Sequence, residues 1–184
     1  MALSWQSLAE NDVGPDRHAA LNELFKAAFP FTVDQFPGRR SWAGARPELR
    51  VMATADGRPV AHAGVLRRFL RIGPRFQLVG EVGLVAVHPG LQGTGLGRQL
   101  NDRVRTALEL LGTPFGYLNC HPSVAGYYTA VGWQGLDGVV TRHYEPDDEL
   151  TVTTTTAQPF VLPVGAPREA WPAGSPIERD GTEL

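Results

Sequence analysis

Apolar residues along this chain keep two rhythms, a strand-like one and a helical one, and together they predict an ordered series of elements. Residues 3–8 suit a first strand. From Asp16, a candidate N-cap, the residues Ala20, Leu21, Leu24, Phe25, Ala28 and Phe29 share one helical stripe that Pro30 stops. Residues 30–47 hold Pro30, Pro37, Gly38, Gly44 and Pro47, which predicts an irregular loop with room for one short helix. Strand-like runs at 48–54 and 59–71 flank Ala55-Asp56-Gly57-Arg58, a hairpin signal. Phe76 to Val87 is almost continuously apolar after Gln77 except for Glu81, as a strand buried on both faces would be. Leu96, Leu100, Val104, Leu108 and Leu111 recur at helical spacing, and Gly112 with Pro114 beyond it ends that helix. Phe115 to Cys120 reads as a strand, Ser123 to Val131 as a short helix closed by Gly132, and Gln158 to Val164 as a final strand. The polar, threonine-rich stretch 145–158 is expected to be a mobile or edge segment, and 165–184 an extended tail rich in proline and glycine.

The resulting order, β-α-loop-β-β-β-α-β-α-β, implies an α/β fold with helices packed on a mixed sheet. No repeat or internal boundary interrupts it, so a single domain over residues 1–184 is expected. Composition narrows the classes. With 42% apolar and 20% charged residues the chain is ordinary globular material, and a formal charge of −2 lacks the basic excess of a non-specific nucleic-acid binder. No apolar run approaches the roughly 20 residues of a membrane span, and the first residues lack the regions of a signal peptide. One cysteine excludes an internal disulfide and suits a reducing compartment, so a cytoplasmic protein with no nucleic-acid or membrane partner is expected.

The chemistry concentrates in Val85-Ala86-Val87-His88-Pro89-Gly90-Leu91-Gln92-Gly93-Thr94-Gly95-Leu96-Gly97-Arg98: a strand, a glycine-spaced turn, and the start of a helix. Helix N-termini present amides without intrahelical acceptors and a positive dipole end, and glycine lets a diphosphate approach the backbone. Spacing sorts the loops that use this device. The turn ends Gly97-Arg98-Gln99, not Gly-Lys-Ser/Thr, and counted from Gly93 the third glycine of a dinucleotide fingerprint falls on Arg98. What remains is Q-x-x-G-x-G, from Gln92 through Gly93, Thr94, Gly95 and Leu96 to Gly97.

This pattern resembles the coenzyme A pyrophosphate loop of the GCN5-related N-acetyltransferase (GNAT) superfamily, whose element order is also the one predicted here. A second GNAT hallmark, a tyrosine four residues before a glycine-aromatic pair, is matched by Tyr128 ahead of Gly132-Trp133. The resemblance implies that Tyr128 lies near the coenzyme sulfur and protonates the leaving thiolate. A narrower likeness runs nearly end to end. Residues Arg40 to Arg50, Ala61-His62, Leu66 to Phe69, Leu111 to Gly116 and Trp171 to Leu184 resemble the nodulation protein A (NodA) acyltransferases, which move a fatty acyl chain onto a chitin-oligosaccharide amine. The strand from Val79 to Val87 and Leu162-Pro163-Val164 are also similar to aminoglycoside 2′-N-acetyltransferases. NodA proteins tend to have a degraded phosphate loop, whereas here Gln92, Gly95 and Gly97 are intact, which favours acetyl-CoA as donor over an acyl carrier protein.

Acyl transfer to an amine needs a base, a polarised carbonyl and a protonated leaving group. Glu81, a lone carboxylate in an apolar strand, is the candidate base, and its alternative is a buried ion pair with Arg67 or Arg68. Backbone N–H groups near Leu84 or Val85 would polarise the carbonyl, while Val85 and Val87 would pair with the pantetheine arm. Cys120-His121 offers a covalent alternative, but adjacent strand residues point to opposite faces, so Cys120 is expected to be a small buried hydrophobe. No ligand spacing suggests a metal. Arg40, Trp42 and Glu48 lie in the loop that the resemblance places over the acceptor, and His62, Asn119 and His121 are further acceptor candidates. The reading is therefore an N-acyltransferase acting from coenzyme A on a small amine such as an amino sugar, and it allows a homodimer. Its rivals are a fatty-acyl transferase acting on a glucosamine oligosaccharide and a non-catalytic coenzyme A-binding regulator.

Overall fold

Two long strands, β3 (Arg58–Ile72) and β4 (Arg75–Val87), organise the fold of the computed structural model, which describes residues 2–144 and 151–184. Both run through the two units into which the chain divides. One unit comprises residues 1–66, 82–107 and Leu184, and the other residues 67–81 and 108–183.

In the first unit β1 (Leu3–Ala9) pairs antiparallel with β2 (Leu49–Ala55), which pairs antiparallel with β3. The β2–β3 turn inverts the backbone at Asp56 (φ 49°) and Gly57 (φ 77°), as the hairpin signal predicts. Helix α1 (Pro15–Ala28) buries Leu21, Leu24 and Phe25 in a cluster with Phe36, Met52, Leu84 and Ala86. It starts earlier than expected. Gly14 is the N-cap and Pro15 opens the helix, where a missing N–H costs nothing, while Asp16 sits in the first turn and pairs with Arg39 at 2.7 Å. Helix α2 (Leu96–Leu110) buries Leu96, Leu100, Val104 and Leu108, the stripe that the sequence shows, and Gly112 (φ 67°) follows its end.

In the second unit β5 (Phe115–Cys120) pairs parallel with β4 on one edge and antiparallel with β9 (Gln158–Pro163) on the other. The short helix α3 (Ala125–Ala130) leads to β6 (Gln134–Gly135), which adds to the far edge of β9. On the opposite side, β10 (Ile177–Arg179) lies antiparallel to β3 and parallel to β7 (Thr141–Tyr144), and β7 carries β8 (Val152–Thr155). The sheet is mixed, as expected. Residues 152–155 form an edge strand, one of the two outcomes expected for 145–158, while 145–150 lie outside the described residues. Two elements differ from the sequence reading. Residues 141–144 form a strand where the pattern is weak. The tail holds β10, so the strand over 158–163 is not the last. An Ile-Glu-Arg triplet is too short to show a period, and its pairing with β3 is non-local.

The second unit's core gathers Leu70, Ile72, Val79, Phe115, Tyr117, Val161, Trp171 and Ile177. Gly116 is enclosed there: a Cβ would lie 2.9 Å from Leu108 Cδ1, 3.0 Å from the Trp133 ring and 3.3 Å from Leu162 Cβ. Gly116→Ala should therefore overpack the core and lower unfolding free energy by about 1–3 kcal/mol, read in urea melts. A wild-type midpoint would refute that packing.

Candidate active site

The glycine turn is open in the sense a diphosphate needs. Gly93 (φ 76°) and Gly95 (φ 86°) hold left-handed backbone, and a Cβ at either would meet nothing within 4 Å. The turn is tied to itself and to its strand. Thr94 Oγ1 donates to the Leu91 carbonyl at 2.7 Å, and Gln92 Nε2 donates to the Val87 carbonyl at 3.3 Å. His88, which the sequence reading passed over, caps the entry by accepting from the Gly90 amide at 3.2 Å. Leu96 is buried as the first residue of α2, while Gly97 and Arg98 follow in its first turn, so the turn faces the positive end of the helix dipole.

Upstream, Leu84 has φ 52°, a left-handed conformation that leucine rarely adopts and that must be held by its surroundings. What holds it is His62, fully buried, with Nδ1 at 2.9 Å from the Leu84 carbonyl. The other ring nitrogen faces Arg50 Nη1 at 3.3 Å. A guanidinium can only donate, so Nε2 accepts and the Nδ1–H donates to Leu84. Burial, with Arg50 adding to it, pushes the His62 imidazole down to about 3, and it stays neutral. Arg50 is itself fully buried and is clamped by Glu10 through Nε at 2.5 Å and Nη2 at 3.1 Å. Burial raises the Glu10 carboxyl, but Arg50 and Arg46 outweigh that and hold it below the ordinary value. His62 thus props the strained backbone, and its burial removes it from any acceptor surface.

The expected acceptor loop is wired to the same network. Arg46 pairs with Glu10 at 2.9 Å and lies 4.4 Å over the Trp42 ring, which also meets the His18 ring at 5.4 Å and packs against the cluster around Phe25. Arg40 donates to the Gln35 carbonyl at 2.8 Å, and the Glu48 backbone bonds to Glu10 and Val65. These contacts order the loop.

In the second unit Glu81 is 1% exposed, with Arg68 Nε and Arg179 Nε each 2.9 Å from one of its oxygens. The contacts are ion pairs whose N–H groups are not aimed well enough for hydrogen bonds. Arg68 is the partner that the sequence offers as the alternative to a base role. Arg179 comes from β10 and was not foreseen. A carboxylate whose two oxygens each face a guanidinium is a poor acceptor for an amine proton. The β4–β5 ladder ends here, pairing only Gly80 with Gly116 and Glu81 with Tyr117.

Beyond the ladder, Asn119 donates to Glu183 at 3.1 Å and accepts from the Tyr117 hydroxyl at 3.0 Å. Tyr128 packs against Tyr127, Trp133 and Phe160, and burial pushes its phenol well above the ordinary range. The thiol of Cys120 is raised by burial to about 11 and stays protonated. His121 is committed elsewhere, its Nδ1 capping the next turn through Ser123, so the two make no thiol–imidazole pair.

With an interrupted β4–β5 ladder, an inverted residue in β4 and an open glycine turn before α2, the chain has the fold of the GNAT class. Solved structures agree on the fold. A GNAT family N-acetyltransferase (YhbS) from Escherichia coli in complex with CoA superposes with TM-score 0.61, covering 97% of this chain and 91% of that one at 16% identity. Escherichia coli ElaA gives TM-score 0.59 at 18% identity over 88% and 99%. Within that class, the sequence model of the Nodulation protein A (NodA) family matches residues 1–184, and the chain belongs to that family. Nodulation protein A of Rhizobium tropici is 37% identical over 99% of this chain and 98% of its own length. Its counterpart in Rhizobium meliloti (strain 1021) is 34% identical over 100% and 99%. The protein is an N-acyltransferase of the GNAT type.

Because His62 is kept neutral, it makes folding sensitive to acid. The unfolded imidazole titrates near 6.5 and the native one near 3, so between those values the unfolded chain binds one more proton. Its contribution is complete above the unfolded pKa and is lost as pH falls, at ~1.4 kcal/mol per unit. His62→Gln can still donate to Leu84, and it should flatten the stability slope between pH 6.5 and 4.5 by about that amount in urea melts. An unchanged slope would mean that His62 is not held neutral.

Proposed function

We propose that the protein moves an acetyl or other acyl group from coenzyme A to the primary amine of a small molecule, an amino sugar or aminoglycoside in class. The observation that carries the donor is the turn from Gln92 to Arg98: two left-handed glycines with open space where side chains would stand, set before the N-terminus of a 15-residue helix. A donor carried on a protein brings a single phosphate where coenzyme A brings two, and the residues present fit a diphosphate.

In this reading the pantetheine arm pairs with Val85 and Val87, on the stretch of β4 that continues beyond its ladder with β5. The inverted backbone at Leu84 redirects the amides around it, and the Leu84 or Val85 N–H then meets the charge developing on the thioester oxygen. Tyr128 supplies the proton for the departing thiolate. Its burial keeps the phenol protonated until that charge appears, and no hydrogen bond holds its hydroxyl among the described residues. Glu81, the base expected from sequence, has both oxygens facing guanidinium groups, which supports an organising role better than a proton-accepting one. Trp42 beside Arg46, with Arg40 and Glu48 in the same loop, suits a polar ring as acceptor.

Titration calorimetry with acetyl-CoA should show 1:1 binding, and thiol release should follow on adding an amino sugar or aminoglycoside. No binding would overturn the reading. Faster release from long-chain acyl-CoA would move it to fatty-acyl transfer. Gly95→Val forces a β-branched residue into left-handed backbone and should weaken acetyl-CoA binding at least tenfold. Tyr128→Phe should lower kcat by about 10²-fold with KM for acetyl-CoA unchanged, and an unchanged kcat would remove Tyr128 from its role.

A further inference from the structure

The ion-pair cluster around Glu81 ends in a second carboxylate whose surroundings are different. Arg179, fully buried, reaches Glu81 through Nε at 2.9 Å and Glu183 through Nη2 at 3.2 Å. Asn119 Nδ2 donates to the same Glu183 oxygen, Oε1, at 3.1 Å. The other oxygen, Oε2, has no partner among the described residues, and the Glu183 side chain is 43% exposed where that of Glu81 is 1% exposed. The segment before Glu183 is also pinned, because Arg68 Nη1 donates to the carbonyls of Thr182 at 3.0 Å and Asp180 at 3.3 Å. One oxygen is therefore fixed and its neighbour faces solvent. The place matters as much as the environment. Asn119 lies two residues past Tyr117, the last β5 residue paired with β4, so Glu183 is held where the ladder has stopped.

We propose that Glu183 is the proton acceptor of the reaction, with Arg179 and Asn119 as the residues that position it. The proposal rests on the N-acyl transfer set out above. The acceptor nitrogen attacks the thioester carbonyl, a C–N bond forms and the C–S bond breaks. The proton shed by nitrogen passes to Glu183 Oε2, directly or through one water, and the thiolate takes its proton from Tyr128. Glu183 then returns its proton to solvent and Tyr128 recovers one. The groups facing Glu183 are Arg179 and Asn119, with Glu81 and Arg68 behind Arg179 and the Tyr117 hydroxyl behind Asn119. Arg179, shared with Glu81, keeps Glu183 in place and leaves Oε2 open.

Glu183→Gln preserves both contacts to Oε1 and removes only the basic oxygen, so it separates chemistry from architecture. Its thermal midpoint and acetyl-CoA affinity by calorimetry should match the wild type, while kcat at pH 7 falls by about 10²-fold. That loss should shrink as pH rises, because hydroxide then takes the proton that the nitrogen must shed on becoming an amide nitrogen. In Glu183→Ala, added formate should restore part of kcat. The proposal is overturned if Glu183→Gln keeps kcat within twofold at pH 7. It is equally overturned if the loss is the same at every pH and formate restores nothing, which is the signature of a structural role. A wild-type protein that neither binds acetyl-CoA nor releases thiol with any amine would overturn the underlying reading instead, and the wild-type assay alone shows that.

Discussion

A carboxylate buried inside a strand must be neutralised, and much of the second unit follows from how Glu81 meets that demand. Its partners come from different strands, Arg68 from the neighbouring β3 and Arg179 from β10, far along the sequence. Each guanidinium is costly to bury alone, so the three groups are stable only together. Their meeting requires β10 to come back along β3, in the register that places Arg179 opposite Leu70. The same demand explains the segment after β10, whose carbonyls at Asp180 and Thr182 take up donors that Arg68 has left over. What looks in sequence like an extended tail is thus the counterpart of one acidic residue in β4.

The first unit solves a comparable problem with a different result. Arg50 and Glu10 neutralise each other, and Arg50 in turn fixes which nitrogen of His62 carries the proton. That proton holds the Leu84 carbonyl and with it a backbone conformation that leucine would not adopt alone. Arg46 carries the same network out to Trp42. The loop that carries Trp42 and the inverted backbone at Leu84 are therefore joined by an unbroken series of polar contacts, in which every group is neutral or paired.

These networks also mark how far the sequence could be read. Helix α2, strand β4, the β2–β3 hairpin and the glycine turn all follow from neighbours within a few residues of one another. They were legible because period, turn chemistry and helix stops are local signals. The partners of Glu81 were half legible: Arg68 lies on the next strand, close enough to suspect, whereas Arg179 arrives through a three-residue strand with no period of its own. His62 and His121 look in sequence like acceptor ligands because a histidine carries no sign of burial or of capping. A lone Arg50 amid Leu49, Val51 and Met52 was the available signal that a buried partner existed, but nothing local names Glu10.

The NodA likeness includes the loop from Arg40 to Arg50 and the C-terminal segment that surrounds Glu81. The glycine turn differs from both, because its geometry is a local property that the rest of the chain does not dictate. A side chain at Gly93 or Gly95 would meet no neighbour, so packing within the protein does not require a bare backbone there. The left-handed φ accounts for glycine at these two positions, yet other turn geometries could join β4 to α2 without it. Gly57 in the β2–β3 hairpin has the same left-handed φ and open surroundings, so what sets Gly93 and Gly95 apart is their place before the N-terminus of α2. The positive end of that helix is what suits the diphosphate proposed for the turn.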